Sequence, residues 1–435
     1  MTLANLAEAY RSCDQPALAA QLCRKAIALA PAFAQAANNL GLALTDLGND
    51  LAATVCARRA AVIHPHDAGF LLNLGIALKS EARFVEAEKA LRAGLALRPD
   101  DANGHLALAT TLLATGSVKA GLAEYEWRHA NGNTRYGLLP ARRWTGERID
   151  DGKLLAWGDQ GVGDEIMFIQ YVRHLQDKVS GVVVECDRRL VSIFERSFPG
   201  IEFIAKSPNP SPRLFAADIR AQVALCSLPH VLGLDLEDLR SKGAFLDPDP
   251  RRLAEMRSSL AALVPSETLR VGIAWRSLRR TTAARRVHTD LLDWGPILTM
   301  PGVSFVNLQY GDCAAEIAEA ESRFGIEISK LADLDLFDDL EGGFALGACL
   351  DLVISTITTA HCMASATGTE TWLLQSRIDY MAFGQSGYPS WPKCLGFVRF
   401  PHENWTRPIG LAAEALRSRQ AAASSMAPAA RFHNA

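Results

Sequence analysis

Residues 66–99 read HDAGFLLNLGIALKSEARFVEAEKALRAGLALRP and end on the last of three prolines, Pro31, Pro65 and Pro99, that stand 34 residues apart. Small and apolar residues recur at helical spacing twice within this stretch, as Leu74, Gly75 and Leu78 and again as Ala87, Leu91 and Gly94, with a polar interval at 79–83 between them. The pattern predicts two amphipathic helices joined by a tight turn. The unit ending on Pro65 repeats it with Leu40, Gly41, Leu44, Ala53 and Ala60, and the unit ending on Pro31 with Leu6, Ala7, Tyr10, Ala19 and Ala26. Small residues fall where paired helices cross and larger ones where a unit stacks on its neighbour, as a solenoid requires. A fourth, imperfect unit supplies Leu108, Ala109, Leu112 and Gly121, then runs into Tyr125-Glu-Trp-Arg128 without a closing proline. It reads as a capping unit and hinge.

This array resembles the tetratricopeptide family, whose units bind protein partners, and it assigns residues 1–130 to such a domain. The apolar residues named so far are core. The groove is expected from intervening positions such as Asn38, Asn39, Asn73 and Lys79, which could hold a partner's backbone or simply face solvent.

The chain has 435 residues, 49% of them hydrophobic, enough for two or three cores. A net charge of −3 excludes the bulk basic character of a nucleic-acid binder, so any charge argument has to be local. Nine scattered cysteines without a CxxC pair fit reduced thiols in the cytoplasm. The first residues carry Glu8 and Asp14 inside an amphipathic unit, unlike a signal peptide, and no run approaches a membrane span. Residues 418–435 form an Ala/Ser-rich stretch expected to be a disordered tail.

From Lys153 onward short apolar runs alternate with helical stretches, as in βα units on parallel sheets. Strands are expected at Leu154–Trp157, Val182–Glu185, Ile201–Ile204 and Gln222–Ala224, then at Val271–Trp275, Val303–Leu308, Asp351–Ser355 and Glu370–Leu374. These divide into two Rossmann-like lobes, residues 153–262 and 263–417, after a linker at 131–152. Two such lobes facing across a cleft make the GT-B arrangement, although an α/β pattern alone fits other folds as well.

Ligands of open parallel sheets bind beyond the carboxyl ends of the strands, and four polar or glycine-rich segments fall there. Gly158-Asp-Gln-Gly-Val-Gly-Asp164 follows the first strand: Gly161 and Gly163 allow close approach of the backbone, and Asp164 either caps the next helix or serves as a base toward a hydroxyl, roles that are compatible. Residues 276–286 hold five arginines (276, 279, 280, 285 and 286), a local concentration suited to phosphate or carboxylate, with a solvated basic loop as the plain alternative. Gln309-Tyr-Gly-Asp312 follows the Val303 strand. Thr356, Thr358 and Thr359 open a helix whose free amides and hydroxyls could meet an anion or could only cap it. His361 and Cys362 read as core. Asp333, Asp335, Asp338 and Asp339 read as an acidic helix start and not as a metal site. Hydrolase, Walker and zinc motifs are not found.

In this order behind a tetratricopeptide array, the segments resemble the bacterial tetratricopeptide-linked glycosyltransferases of the heptosyltransferase-like GT-B type. The landmarks are Tyr125-Glu-Trp-Arg128, Trp144-Thr-Gly-Glu147, Leu155 to Asp164, Val271-Gly-Ile-Ala-Trp-Arg-Ser277, Asn307-Leu-Gln-Tyr-Gly-Asp312, Leu350 to Ser355 and Trp405. The resemblance implies that Asp164 is the catalytic base and that Arg276, Ser277, Gln309, Thr358 and Thr359 hold the donor nucleotide, with Gly161, Gly163 and Arg286 beside it. It implies a protein acceptor captured by the solenoid, a nucleotide sugar as co-substrate, no separate cofactor and no metal. Many relatives carry an Asp-Thr pair followed five residues later by histidine, where this chain has Ile357, Thr358 and Cys362, with His361 one position off. The Asn-Leu-Gln-Tyr-Gly-Asp signature is similar to that of flagellin-modifying transferases, which makes flagellin the implied acceptor. Two other functions stay open: a scaffold with a degenerate transferase domain, which Ile357 and Cys362 motivate, and a transferase acting on lipopolysaccharide or another glycan.

Overall fold

A computed structural model describes residues 2–130, 135–278 and 287–426. The solenoid consists of antiparallel helix pairs: Thr2–Ser12 with Pro16–Leu29, Ala34–Asp46 with Asp50–Ile63, Ala68–Ser80 with Phe84–Leu97, and Ala102–Ala114 with Val118–Tyr125. The fourth unit completes the same helix pair as the first three. Each pair turns on one residue in the left-handed region, Asp14 (φ 56°), Gly48 (φ 78°), Ala82 (φ 56°) and Gly116 (φ 84°), which recur at the 34-residue period. At the crossing of the third pair a Cβ on Gly75 would lie 2.5 Å from Cγ of Leu91, so the glycine makes room for a fully buried leucine. Asn49, Asp67 and Asp101 cap their helices by accepting from the N–H of Ala52, Phe70 and Gly104.

The first lobe is a five-stranded parallel sheet of β1 (Arg142–Arg143), β2 (Lys153–Trp157), β3 (Val182–Cys186), β4 (Glu202–Ala205) and β5 (Ile219–Ala224), in the order β1-β5-β2-β3-β4. A second parallel sheet holds β6 (Leu269–Ala274), β7 (Val303–Asn307), β8 (Ile328–Ser329), β9 (Leu352–Ser355), β10 (Thr371–Ser376) and β11 (Cys394–Arg399), in the order β11-β10-β9-β6-β7-β8. Strand order reverses beside β2 in one sheet and beside β6 in the other, which puts the loops after β2 and β6 at the two switch points. The architecture is the expected one: an all-α tetratricopeptide solenoid followed by two Rossmann-like lobes in the GT-B arrangement.

All eight expected strands form; the central positions of six are almost entirely buried, as parallel strands covered on both faces must be, while β4 and β7 are partly buried. Strands β1, β8 and β11 were not expected, being short or, in β11, only partly buried. The expected boundaries shift in three places. The linker at 131–152 ends before β1: Arg142 and Arg143 pair with β5, Trp144 is fully buried, and Ile149 bridges to Val179, so this stretch belongs to the first lobe. The helix Pro250–Leu263 buries Met256 and Leu260 against Ala274, Val306 and Val353, so it belongs to the second lobe, ahead of the expected division at 262. The tail expected from 418 instead continues the helix Thr406–Met426, because Arg419 pairs with Glu370 and donates to Asp351 O while Gln420 donates to Pro301 O. Residues 427–435 lie outside the described residues.

One core runs through all three parts. Leu113, Val118 and Leu122 of the solenoid pack in the same cluster as Ile166, Tyr171 and Val184 of the first lobe and Phe344, Cys362, Met363 and Phe383 of the second. Among the described residues no helix is long and apolar enough to cross a membrane.

Candidate active site in the cleft

Strand β2 delivers Trp157 into a turn and then the helix Val162–Phe168. Gly158 has no room for a side chain because Glu165 fills that space; Glu165 accepts from Asp187 N–H at 2.7 Å and pairs with Lys206. Further along, a Cβ on Gly163 would stand 3.3 Å from Sγ of Cys362 in the second lobe, so glycine lets the lobes approach. Asp164 Oδ2 accepts from Gly161 N–H at 3.1 Å, the capping bond. Burial pushes the Asp164 carboxyl above its ordinary range and Asp159 adds to this, while the Gly161 N–H and Arg128 oppose it.

The glycine loop is tied to the solenoid by Arg128. Its Nε donates to Asp159 Oδ2 at 2.8 Å, Nη1 to Glu126 at 2.7 Å and Nη2 to Ser227 Oγ at 2.7 Å. Asp159 also accepts from Cys226 N–H, and Glu126 pairs with Arg143. The arginine side chain is 6% exposed and Asp159 4%, so these charges are satisfied almost wholly by one another. His129, Tyr136 and Trp157 pack edge to face beside them. The landmark Tyr125-Glu-Trp-Arg128 is thus a joint built around the loop that carries Asp164.

Opposite lies the helix Thr359–Ala366, capped from both directions: Thr358 N–H donates to Nδ1 of His361 and the Thr358 side chain accepts from the His361 N–H, while Ser355 and Thr358 share a hydroxyl bond at 3.0 Å. His361 is fully buried, edge-on to Tyr388 and Trp391, and burial lowers its pKa to about 4, so it is neutral and its Nδ1 is the acceptor. Between the two helix starts is a cavity of about 460 Å3, whose walls include Gly161, Gly163, Asp164, Ser277, Tyr310, Thr358 and Thr359. Six of the expected site residues therefore meet at one place, from three segments far apart in the chain.

Of the other expected residues, Arg276 and Gln309 do not line it. Arg276 is held by Glu316 at 2.7 to 3.1 Å and donates to Asp312 O. Gln309 is buried and braces the strand ends: its Oε1 accepts from Trp275 and Arg276 N–H, and its Nε2 donates to Tyr310 O. Arg286, with Arg279, Arg280 and Arg285, lies outside the described residues. In the solenoid Asn73 donates to Asn38, Asn38 to Asn39, and Asn39 to Ala4 O; this chain of amides between units buries Asn38 and Asn39, against their expected place on an open groove. Asn73 and Lys79 are half-buried, and Lys79 donates to Thr110. The acidic cluster behaves as a helix start, since Asp339 accepts from Gly342 N–H and pairs with Arg252.

Sequence reasoning missed Asp379, Tyr380 and Tyr388, which complete the cavity wall from the loops after β10. Asp379 accepts from Tyr388 O–H at 2.5 Å and from Met381 N–H at 3.1 Å, and burial pushes its pKa up to about 6. Tyr380 stands against Tyr125 of the joint, ring centroids 6.0 Å apart. No local motif marks these residues. His288, which contacts Ser277 at 2.9 Å, was equally unmarked.

No family model matches the chain. It is similar to Protein FlbA of Caulobacter vibrioides, 33% identical over 325 residues, which are 72% of this chain and 54% of that protein. The chain thus spans about half the length of that relative. Among solved structures it is similar to a mutant form of the Thermobaculum terrenum O-GlcNAc transferase, at 16% identity and a TM-score of 0.34, covering 95% of this chain and 88% of that one. It is also similar to a glycosyl transferase family 9 protein from Veillonella parvula, at 12% identity and a TM-score of 0.43, covering 59% of this chain and 88% of that one.

Proposed function

We propose that the protein is a glycosyltransferase that moves a sugar from a nucleotide-sugar donor to a hydroxyl of a protein captured by the solenoid. The observation that carries this reading is the position of Asp164: a carboxylate in the first turn of the helix after β2, on a cavity wall that faces the start of the helix Thr359–Ala366. Asp164 takes the proton of the acceptor hydroxyl as its oxygen attacks the anomeric carbon, and the bond from that carbon to the phosphate oxygen breaks. A carboxyl held above its ordinary pKa is a stronger base once ionised, at the cost of needing a higher pH to ionise. The N–H of Thr359 at the helix start, with the hydroxyls of Thr358 and Thr359, stabilises the departing phosphate, while the Thr358 N–H stays on His361. Ser277, Gly161 and Gly163 contribute donor contacts, Arg286 adds positive charge, and Arg276 and Gln309 act at one remove by fixing the turn at Tyr310. Neither a metal nor a further cofactor is part of this proposal.

The acceptor to test first is flagellin, in the cytoplasm where nucleotide sugars are made. Incubating purified protein with candidate nucleotide sugars and flagellin is expected to add sugar, and Asp164→Ala to abolish it; full activity in that variant removes Asp164 from the mechanism. A scaffold is the competing reading, because Ile357 and Cys362 occupy the cavity wall where many relatives carry Asp and His. A nucleotide that binds only the folded state must raise its stability, so a thermal-shift screen without response to any UDP, GDP, ADP, CMP or CDP compound would favour the scaffold.

A further inference from the structure

Asp379 lies on the loop after β10, between the cavity-lining residues Ile378 and Tyr380. Its Oδ1 accepts from Met381 N–H and caps the short turn Tyr380–Ala382, and its Oδ2 accepts from Tyr388 O–H. Capping alone does not account for an aspartate here, since a neutral Ser or Asn caps such a turn as well. Among the described residues no arginine, lysine or histidine pairs with it, and burial raises its pKa despite the two hydrogen bonds. A half-buried carboxylate without a cation is costly, and it persists where a ligand uses it.

The chemistry of that ligand follows from the atoms. A carboxylate only accepts hydrogen bonds, and each of its oxygens has a further lone pair. Around it stand Ile378, Met381 and the ring of Tyr380, an apolar surface against which a ring can pack. Acceptor oxygens beside an apolar face suit a polyhydroxylated ring. Asp379 also supplies the cavity with a second carboxylate from a neighbouring loop, where Ile357 leaves the helix start without one.

Resting on the transferase reading, we propose that Asp379, oriented by Tyr388, determines sugar specificity by accepting hydrogen bonds from hydroxyls of the sugar carried on the donor. The test uses the full-length protein and matched compounds: UDP with UDP-N-acetylglucosamine, GDP with GDP-mannose, and CMP with CMP-N-acetylneuraminate, with affinities read by calorimetry. Asp379→Asn keeps the capping acceptor and removes the charge. For the pair the wild type binds, this variant is expected to weaken the nucleotide sugar about tenfold or more, the usual scale for hydrogen bonds to a charged group, and to leave the bare nucleotide unchanged. Tyr388→Phe keeps the carboxylate but frees it, and should give a smaller loss of the same kind. Equal losses for nucleotide and nucleotide sugar, or no loss, overturn the proposal. A wild type that gains nothing from any sugar overturns it and leaves the nucleotide site standing. If neither these six compounds nor the ADP and CDP compounds of the stability screen bind, the transferase reading falls and this proposal with it.

Discussion

In the solenoid, Asn73 reaches Asn38 across 35 residues of sequence and Lys79 reaches Thr110 across 31, the reach of one repeat. In the cleft Arg128 reaches Ser227 across 99 residues and Tyr171 reaches Ser390 across 219. Both regions hold polar groups away from water, but the solenoid does so between neighbouring units and the cleft does so among three separate parts of the chain. A change in the solenoid should therefore be felt by one unit and the next. Damage at the joint should be felt by the solenoid and both lobes together.

The largest test of that contrast is Arg128→Ala. It leaves Asp159 buried without its cation and Glu126 with Arg143 alone, and a loss of about 3–5 kcal/mol in urea unfolding is expected, the scale for breaking a buried ion pair from one side. A loss below about 1 kcal/mol would mean that water or relaxation repairs the joint easily. Next comes Leu91→Ala, which empties the space beside Gly75 and should cost about 2–5 kcal/mol. Hydrogen exchange should rise in the helices Ala68–Ser80, Phe84–Leu97 and Ala102–Ala114 and stay unchanged in β2 and β9. Equal acceleration in the lobes would contradict the separation of the two regions.

A third test uses pH. His361 has a pKa of about 4 in the folded protein against an ordinary 6.5, so the unfolded chain binds the extra proton between those values. Its contribution is complete above about pH 6.5 and is lost as the pH falls toward 4, roughly 3 kcal/mol in all. Asp379 has the opposite sign: raised from 3.8 to about 6, it favours the folded state at low pH, and that contribution is lost as the pH rises through 6. The two partly cancel in the wild type. His361→Gln retains an acceptor for Thr358 N–H and should remove the acid-side loss, whereas Asp379→Asn should raise the melting temperature at pH 8 more than at pH 4.5. An Asp379→Asn variant that melts lower at pH 8 would show that the carboxylate stabilises the fold.

The smallest effect belongs to a turn. Ala82 takes the left-handed conformation that Gly48 and Gly116 take in their units, so Ala82→Gly should stabilise by about 0.5–1 kcal/mol. A destabilised variant would mean that the Ala82 methyl packs on something the repeat does not share.

How much of this could be read from the sequence follows the same contrast. Pro31, Pro65 and Pro99 disclose the solenoid because a repeat writes its packing rule several times over. Most of the eight expected strands are legible because strands buried on both faces need nearly continuous apolar runs. Asp164, Thr358 and Thr359 are legible because strand ends mark where a parallel sheet binds ligands. Asp379 and Tyr388 are not, since their meaning depends on a loop folding back across the sheet. Asn38 and Asn39 mislead for a related reason: a polar residue between apolar ones reads as surface, and only the neighbouring unit shows that its amide is already used.

The central claim is that this cleft transfers a sugar with Asp164 as base. Its most direct test is intact-mass analysis of flagellin and other cellular proteins from a strain lacking this gene, complemented with the wild type or with Asp164→Ala. The account predicts a protein that loses a sugar-sized mass on deletion, regains it with the wild type and does not regain it with the variant. Full restoration by Asp164→Ala, or no mass change on deletion, would contradict it.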